Sequence, residues 1–93
     1  MLNEMIRKLR KNFNLSQVEL ASKLGVTKQC VSNWENDNIL PSIDMLIKLS
    51  RLFNVPTDYL LGITSEKTIS VEGLTDLQIT HIKQIVEDFR INK

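Results

Sequence analysis

Residues 28 to 36 hold Lys28, Gln29, Ser32, Asn33 and Asn36 on the outward side of a short helical stretch whose inward side carries Val31 and Trp34. Three of those five polar residues are amides, and an amide pairs its donor and acceptor bidentately with an adenine edge. The chemistry on offer is therefore the reading of base edges in a DNA major groove, a task that needs a helix held at a steep angle to its neighbour.

Catalytic chemistry is poorly served by the same inventory. His81 is the only histidine and lies far along the chain from the only cysteine, Cys30. No paired carboxylates, glycine-rich phosphate loop or metal-ligand spacing appears, which argues against an enzyme and against a metal or other cofactor. Cys30 sits beside Gln29, where a redox or metal role is conceivable, but a lone helix cysteine reads first as inert packing because reactivity needs a lowered pKa and exposure. One cysteine excludes an internal disulfide and suits a reducing cytoplasm. No apolar run approaches the roughly 20 residues that span a bilayer, and Met1 leads straight into an amphipathic helix, so no membrane association is expected.

Two short helices position the polar face. Ser16 and Glu19 form a capping box, with Leu15 and Leu20 placed as its hydrophobic staple. Thr27 repeats the arrangement with Val26 and Val31. Gly25 stands between them, just past a helix end, where the left-handed backbone suits glycine. The pattern predicts a helix-turn-helix with Val18, Leu20, Ala21 and Leu24 inward on its first helix and Val31 and Trp34 inward on its second. Trp34 could instead stack on nucleic acid, but its three-residue spacing from Val31 favours the core.

Flanking elements complete a bundle. Leu2, Met5, Ile6 and Leu9 form an apolar stripe on a first helix whose basic residues read either as a solvated face or as backbone contacts. Asn36 or Asn38 can take the left-handed turn after the recognition helix. Pro41 and Ser42 open a fourth helix, apolar around much of its circumference through Ile43, Leu46, Ile47, Leu49, Leu52 and Phe53, which predicts a buried element. Pro56 and Thr57 start a short fifth helix stopped by Gly62.

Beyond Gly62 the character changes. Residues 63–73 are linker-like, and Thr68 through Glu72 alternate as a short strand would. Thr75 and Gln78 form another capping box, opening a helix that carries Ile79, Ile82, Ile85, Val86 and Phe89 along one face. That stripe either folds back on the bundle or packs against a second copy; the second is favoured, since readers of this type bind paired half-sites. Residues 1–62 hold eight basic and six acidic side chains and residues 63–93 four and five, so the modest positive excess coincides with the helix-turn-helix.

Residues 2–62 resemble the repressor/Cro-type helix-turn-helix domain, also called the xenobiotic-response-element family of bacterial and phage regulators. The resemblance rests on Ser16-Gln17-x-Glu-Leu-Ala21, Leu24-Gly25-Val26-Thr27, Val31-Ser32-x-Trp34-Glu35-Asn36, Pro41-Ser42, and the run from Leu52 through Gly62. It implies an all-α, five-helix DNA-binding domain at 1–62, to which the patterns above add a linker with a short strand at 63–73 and a dimerisation helix at 74–93. By the same resemblance Lys28, Gln29, Ser32 and Asn33 face bases, Gln17 and Asn36 meet DNA backbone, and Arg10 and Glu35 form a structural salt bridge. The chain departs from many relatives at Asp37-Asn38-Ile39-Leu40, where they carry glycine and a basic residue, and this sets a carboxylate near the expected phosphate. The expected function is a transcriptional regulator, most simply a repressor, binding a palindromic double-stranded operator as a homodimer. The rival is a protein-interaction module or antitoxin-like autoregulator whose C-terminal helix binds a protein such as an anti-repressor or toxin.

Overall fold

In the computed structural model, which describes residues 1–91, six helices succeed one another: α1 (Leu2–Asn12), α2 (Gln17–Leu24), α3 (Lys28–Glu35), α4 (Ile43–Phe53), α5 (Thr57–Leu60) and α6 (Asp76–Ile91). The all-α expectation holds. Local signals set the starts: Glu19 N–H donates to Ser16 Oγ at 3.0 Å and Ser16 N–H to Glu19 Oε1 at 2.9 Å. Thr27 Oγ1 accepts from Cys30 N–H at 3.1 Å, and Ser42 Oγ accepts from Met45 N–H at 3.2 Å. Gly25 ends α2 with φ 73°, so the turn into α3 carries no Cβ strain.

One core joins the first five helices. Ile6 and Leu9 of α1, Leu20, Ala21 and Leu24 of α2, Val31 and Trp34 of α3, Leu49 and Phe53 of α4 and Leu60 of α5 are all buried. Trp34 is 3% exposed and belongs to this core. Phe13, just past α1, meets the Phe53 ring edge-on with centroids 5.3 Å apart, a favoured aromatic geometry.

Four expectations need correction. Val18 is 58% exposed rather than inward; at about 100° per residue it lies some 200° around α2 from Leu20, on the opposite face. α4 is not buried around its circumference: Leu49 and Phe53 face the core while Ile43 is 76% exposed and Ile47 38%. Periodicity counted two apolar faces on that helix, and the bundle covers one. The left-handed residue after α3 is Asp37, φ 59°, while Asn36 keeps φ −91°; Asp37 N–H closes on the Trp34 carbonyl at 3.2 Å and Asn38 N–H on the Asn33 carbonyl at 2.9 Å, which fixes the reversal at residue 37.

Thr68 through Glu72 also depart from the expected strand. No strand forms among the described residues. Thr68 through Val71 have no regular secondary structure and Glu72 begins a turn, and the Asn54 side chain bonds Ser70 instead, accepting from its N–H at 2.9 Å and donating to its carbonyl at 3.3 Å. After a turn at Gly73, Thr75 and Gln78 cap α6 reciprocally at 2.9 and 3.1 Å. No residue of α6 is buried.

Candidate nucleic-acid interface

α3 is anchored by Val31 and Trp34, three residues apart, and this turns the intervening positions outward. Lys28, Gln29 and Asn36 are exposed, and Ser32 and Asn33 half-exposed, so all five polar residues share the accessible side of the helix and its end. Four of them are bonded in pairs one turn apart. Gln29 Nε2 donates to Asn33 Oδ1 at 3.0 Å, and Asn36 Nδ2 donates to Ser32 Oγ at 3.2 Å. The first pairing orders both amides while leaving the Gln29 carbonyl and the Asn33 amino group free for a ligand. Lys28 enters no ion pair among the described residues.

Behind this face lies a buried carboxylate. The Glu35 side chain has no exposed surface, and Arg10, 11% exposed, meets it twice: Nε donates to Oε2 at 2.7 Å and Nη2 to Oε1 at 3.0 Å. Arg10 Nη1 also donates to the Leu15 carbonyl at 2.9 Å, tying α1 to the entry of α2. Gln17 Nε2 donates to Glu35 Oε1 at 3.2 Å. Arg7 adds two further bonds, Nε to Glu35 Oε1 at 3.4 Å and Nη2 to the Glu35 carbonyl at 3.0 Å. Glu35 therefore joins α1, α2 and α3 through one side chain.

Burial alone would push the Glu35 pKa up. The hydrogen bonds from Arg10, Gln17 and Arg7, with the Arg10 charge, outweigh it and hold the carboxyl below its ordinary range. Sequence reasoning missed Arg7, yet it sits three residues before Arg10 on the same face of α1, and that spacing is the signal that could have found it. Gln17 lies at this hub, with its carbonyl and second amide hydrogen still uncommitted to Glu35.

The C-terminal stripe lies apart from the core. Ile79 and Ile82 are half-buried, whereas Ile85, Val86 and Phe89 are exposed, the last at 75%. Residues Ile69 and Val71 of the connecting segment line a groove with Ile79, Ile82 and Val86. Cys30 is half-buried and free, and among the described residues no cluster of three His, Cys, Asp or Glu side chains could hold a metal ion.

A helix pair with a polar, accessible second helix, braced by a buried ion-pair hub, defines a helix-turn-helix regulator. Residues 6–60 match the helix-turn-helix family model HTH_3, and the chain belongs to this Cro/C1-type family. It is 35% identical over 89 residues to the HTH-type transcriptional regulator ImmR of Bacillus subtilis, covering 96% of this chain and 68% of ImmR. It spans 62% and 64% of the length of two further B. subtilis regulators. The P22 c2 repressor in complex with a synthetic operator superposes with TM-score 0.61 at 32% identity, over 64% of this chain and 91% of the repressor chain. SinR, a master regulator for biofilm formation, in complex with DNA gives TM-score 0.61 at 37% identity over 66% of this chain and 98% of that one. A SinR/SinI protein complex gives 0.63 at 27% identity and covers both chains fully. The family and these relatives are transcriptional regulators, not enzymes. No described helix is long and apolar enough to cross a membrane.

Proposed function

We propose that this chain is a cytoplasmic transcriptional repressor that binds a palindromic duplex operator through the major groove as a homodimer. The observation that carries the reading is the ordered polar face of α3, with its Gln29–Asn33 pair, set on the Glu35 hub. In this reading Lys28, Gln29, Ser32 and Asn33 contact base edges. Gln17 keeps one amide hydrogen on Glu35 and gives the other to a phosphate, and Asn36 meets the same backbone. Residues 1–62 are the DNA-binding domain, 63–73 the connection, and 74–93 the dimerisation helix, pairing through Ile79, Ile82, Ile85, Val86 and Phe89; residues 92 and 93 lie outside the described structure. Support for DNA as ligand comes from the operator and DNA complexes of the relatives. Support for dimerisation comes from the apolar side chains that α6 leaves uncovered.

Titration of the chain against duplex DNA across a salt series tests the first half. Binding should weaken linearly in log K against log salt as counterions are released; absence of duplex binding at low salt would contradict it. Sedimentation of a chain cut after Gly62 tests the second half. The cut chain should remain monomeric where the full chain dimerises, and equal dimerisation would remove α6 as the interface. A second reading, in which α6 docks a protein partner, is favoured by one observation, the likeness over the full chain to a chain of a SinR/SinI protein complex.

A further inference from the structure

The stretch between α5 and α6 lies against the bundle, with Ile69 lining a pocket beside Leu9, Phe13 and Phe53, and one side chain, Asn54, hydrogen-bonds it at Ser70. Asn54 ends α4 in left-handed backbone, φ 51° and ψ 49°, a conformation that Asn tolerates because its short polar side chain bonds locally. The corner around it is tightly bonded: Val55 N–H donates to the Ser50 carbonyl at 3.0 Å, and Ser50 Oγ donates to the Val55 carbonyl at 2.6 Å. From this corner the Asn54 amide reaches a residue sixteen positions along, accepting from Ser70 N–H and donating to Ser70 carbonyl. Two residues that exchange both bonds are the hydrogen-bonded pair of an antiparallel ladder. Here a side-chain amide takes the place of a peptide unit.

The path from Ser70 to α6 is short. Leu74 N–H donates to the Val71 carbonyl at 3.1 Å across a turn in which Gly73 has φ 84°, and Thr75 then caps α6. The hold on Ser70 is thus passed to the first turn of α6 through one tight reversal. α6 also rests on this same segment, since Ile79, Ile82 and Val86 line a groove with Ile69 and Val71, so the residues that Asn54 holds are the ones on which α6 lies.

We infer that Asn54 is a positioning residue that sets half-site spacing: by clamping Ser70 it fixes α6 against the bundle and so fixes the separation of two recognition helices in a dimer. The inference rests on the homodimer reading above. With the clamp in place the dimer accepts one spacing of half-sites. Without it, residues 63–73 act as a flexible tether that keeps both domains on one duplex but tolerates a changed separation.

The test uses the full chain and Asn54→Gly, which keeps the left-handed end of α4 and deletes the amide. The probes are a duplex carrying the palindrome that the unaltered chain selects from a random pool, and the same palindrome with two base pairs inserted at its centre. The unaltered chain should bind the lengthened duplex about 100-fold more weakly, and Asn54→Gly less than about 10-fold more weakly, since a flexible tether answers a new span only through effective concentration. Ser70→Pro removes the same N–H while leaving α4 intact and should loosen the spacing equally. Asn54→Asp keeps the acceptor and should restore part of the selectivity, and thermal midpoints report that each variant is folded. Sedimentation separates the failures. A full chain that is monomeric at DNA-binding concentrations overturns the homodimer reading and this inference together, whereas dimers of Asn54→Gly and Ser70→Pro that keep the original spacing preference overturn this inference alone.

Discussion

Each of the helices α1–α5 places at least one residue in the buried set, and the bundle's buried carboxylate has side-chain donors from Arg7, Arg10 and Gln17. α6 is the longest described helix, at 16 residues, and has no fully buried residue, only Ile79 and Ile82 being half-buried along its stripe. A helix of that length is marginal on propensity alone, because nucleation is unfavourable and most helical stability in proteins comes from packing an apolar face. The buried polar side chains among the described residues all have hydrogen-bond partners, whereas α6 keeps Ile85, Val86 and Phe89 exposed and meets only Ile69 and Val71 along its stripe.

The largest expected effect lies in the hub. Glu35→Ala leaves the Arg10 guanidinium buried without its counter-charge and should destabilise the bundle by about 3 to 5 kcal/mol in a denaturant titration. A loss comparable to that of a surface substitution would show that the hub is replaceable and would erase the contrast with α6. The hub also predicts a pH dependence. The folded-state pKa of Glu35 lies below its ordinary value of 4.5, so its contribution is fully present above about pH 4.5 and is lost as pH falls through the lowered folded value. Unfolding midpoints tracked downward from pH 5 should fall more steeply for the unaltered chain than for Glu35→Gln, which lacks the titrating group.

Next in size is the recognition face. Gln29→Ala and Asn33→Ala should each weaken binding to the selected operator by about 1 to 3 kcal/mol and leave binding to random duplex unchanged. Since Gln29 Nε2 is bonded to Asn33 Oδ1, the double variant should lose less than the two single losses combined. Equal losses on random DNA would remove both residues from base reading. The smallest effect on folding is expected at α6: Phe89→Ala, at an exposed site, should move bundle stability by no more than about 0.5 kcal/mol. Its effect should appear in the dimer dissociation constant measured by sedimentation.

Local chemistry made much of the fold legible in the sequence. Ser16 with Glu19, Thr27, Ser42 and Thr75 with Gln78 act within one helical turn, and each forms the cap its spacing implies. Tertiary choices were less visible. Val18, Ile43 and Ile47 belong to apolar patterns, but periodicity names the faces of a helix without saying which face a neighbour will cover. The alternation at residues 68–72 marks an extended chain; it carries no sign of the Asn54 amide that bonds it from sixteen residues away. Asn54 lies within the run from Leu52 through Gly62 that carries the family resemblance, and only the placement of the α4 corner reveals its bonds to Ser70. The accessible side of α3 was legible because Val31 and Trp34 fix the inward side, while the meeting of Arg7 and Gln17 on Glu35 depends on three helices arriving together.

In the proposed function, the ordered amide face of α3 reads DNA only when α6 brings two copies together. The direct measurement compares operator binding by the full chain with that of Ile82→Asp, a charge placed on the half-buried stripe of α6, using the selected palindrome and a single half-site. The unaltered chain should bind the palindrome cooperatively and far more tightly than the half-site, and Ile82→Asp should bind both with the same weak affinity. Unchanged, cooperative palindrome binding by a folded Ile82→Asp chain would show that α6 does not join the two copies.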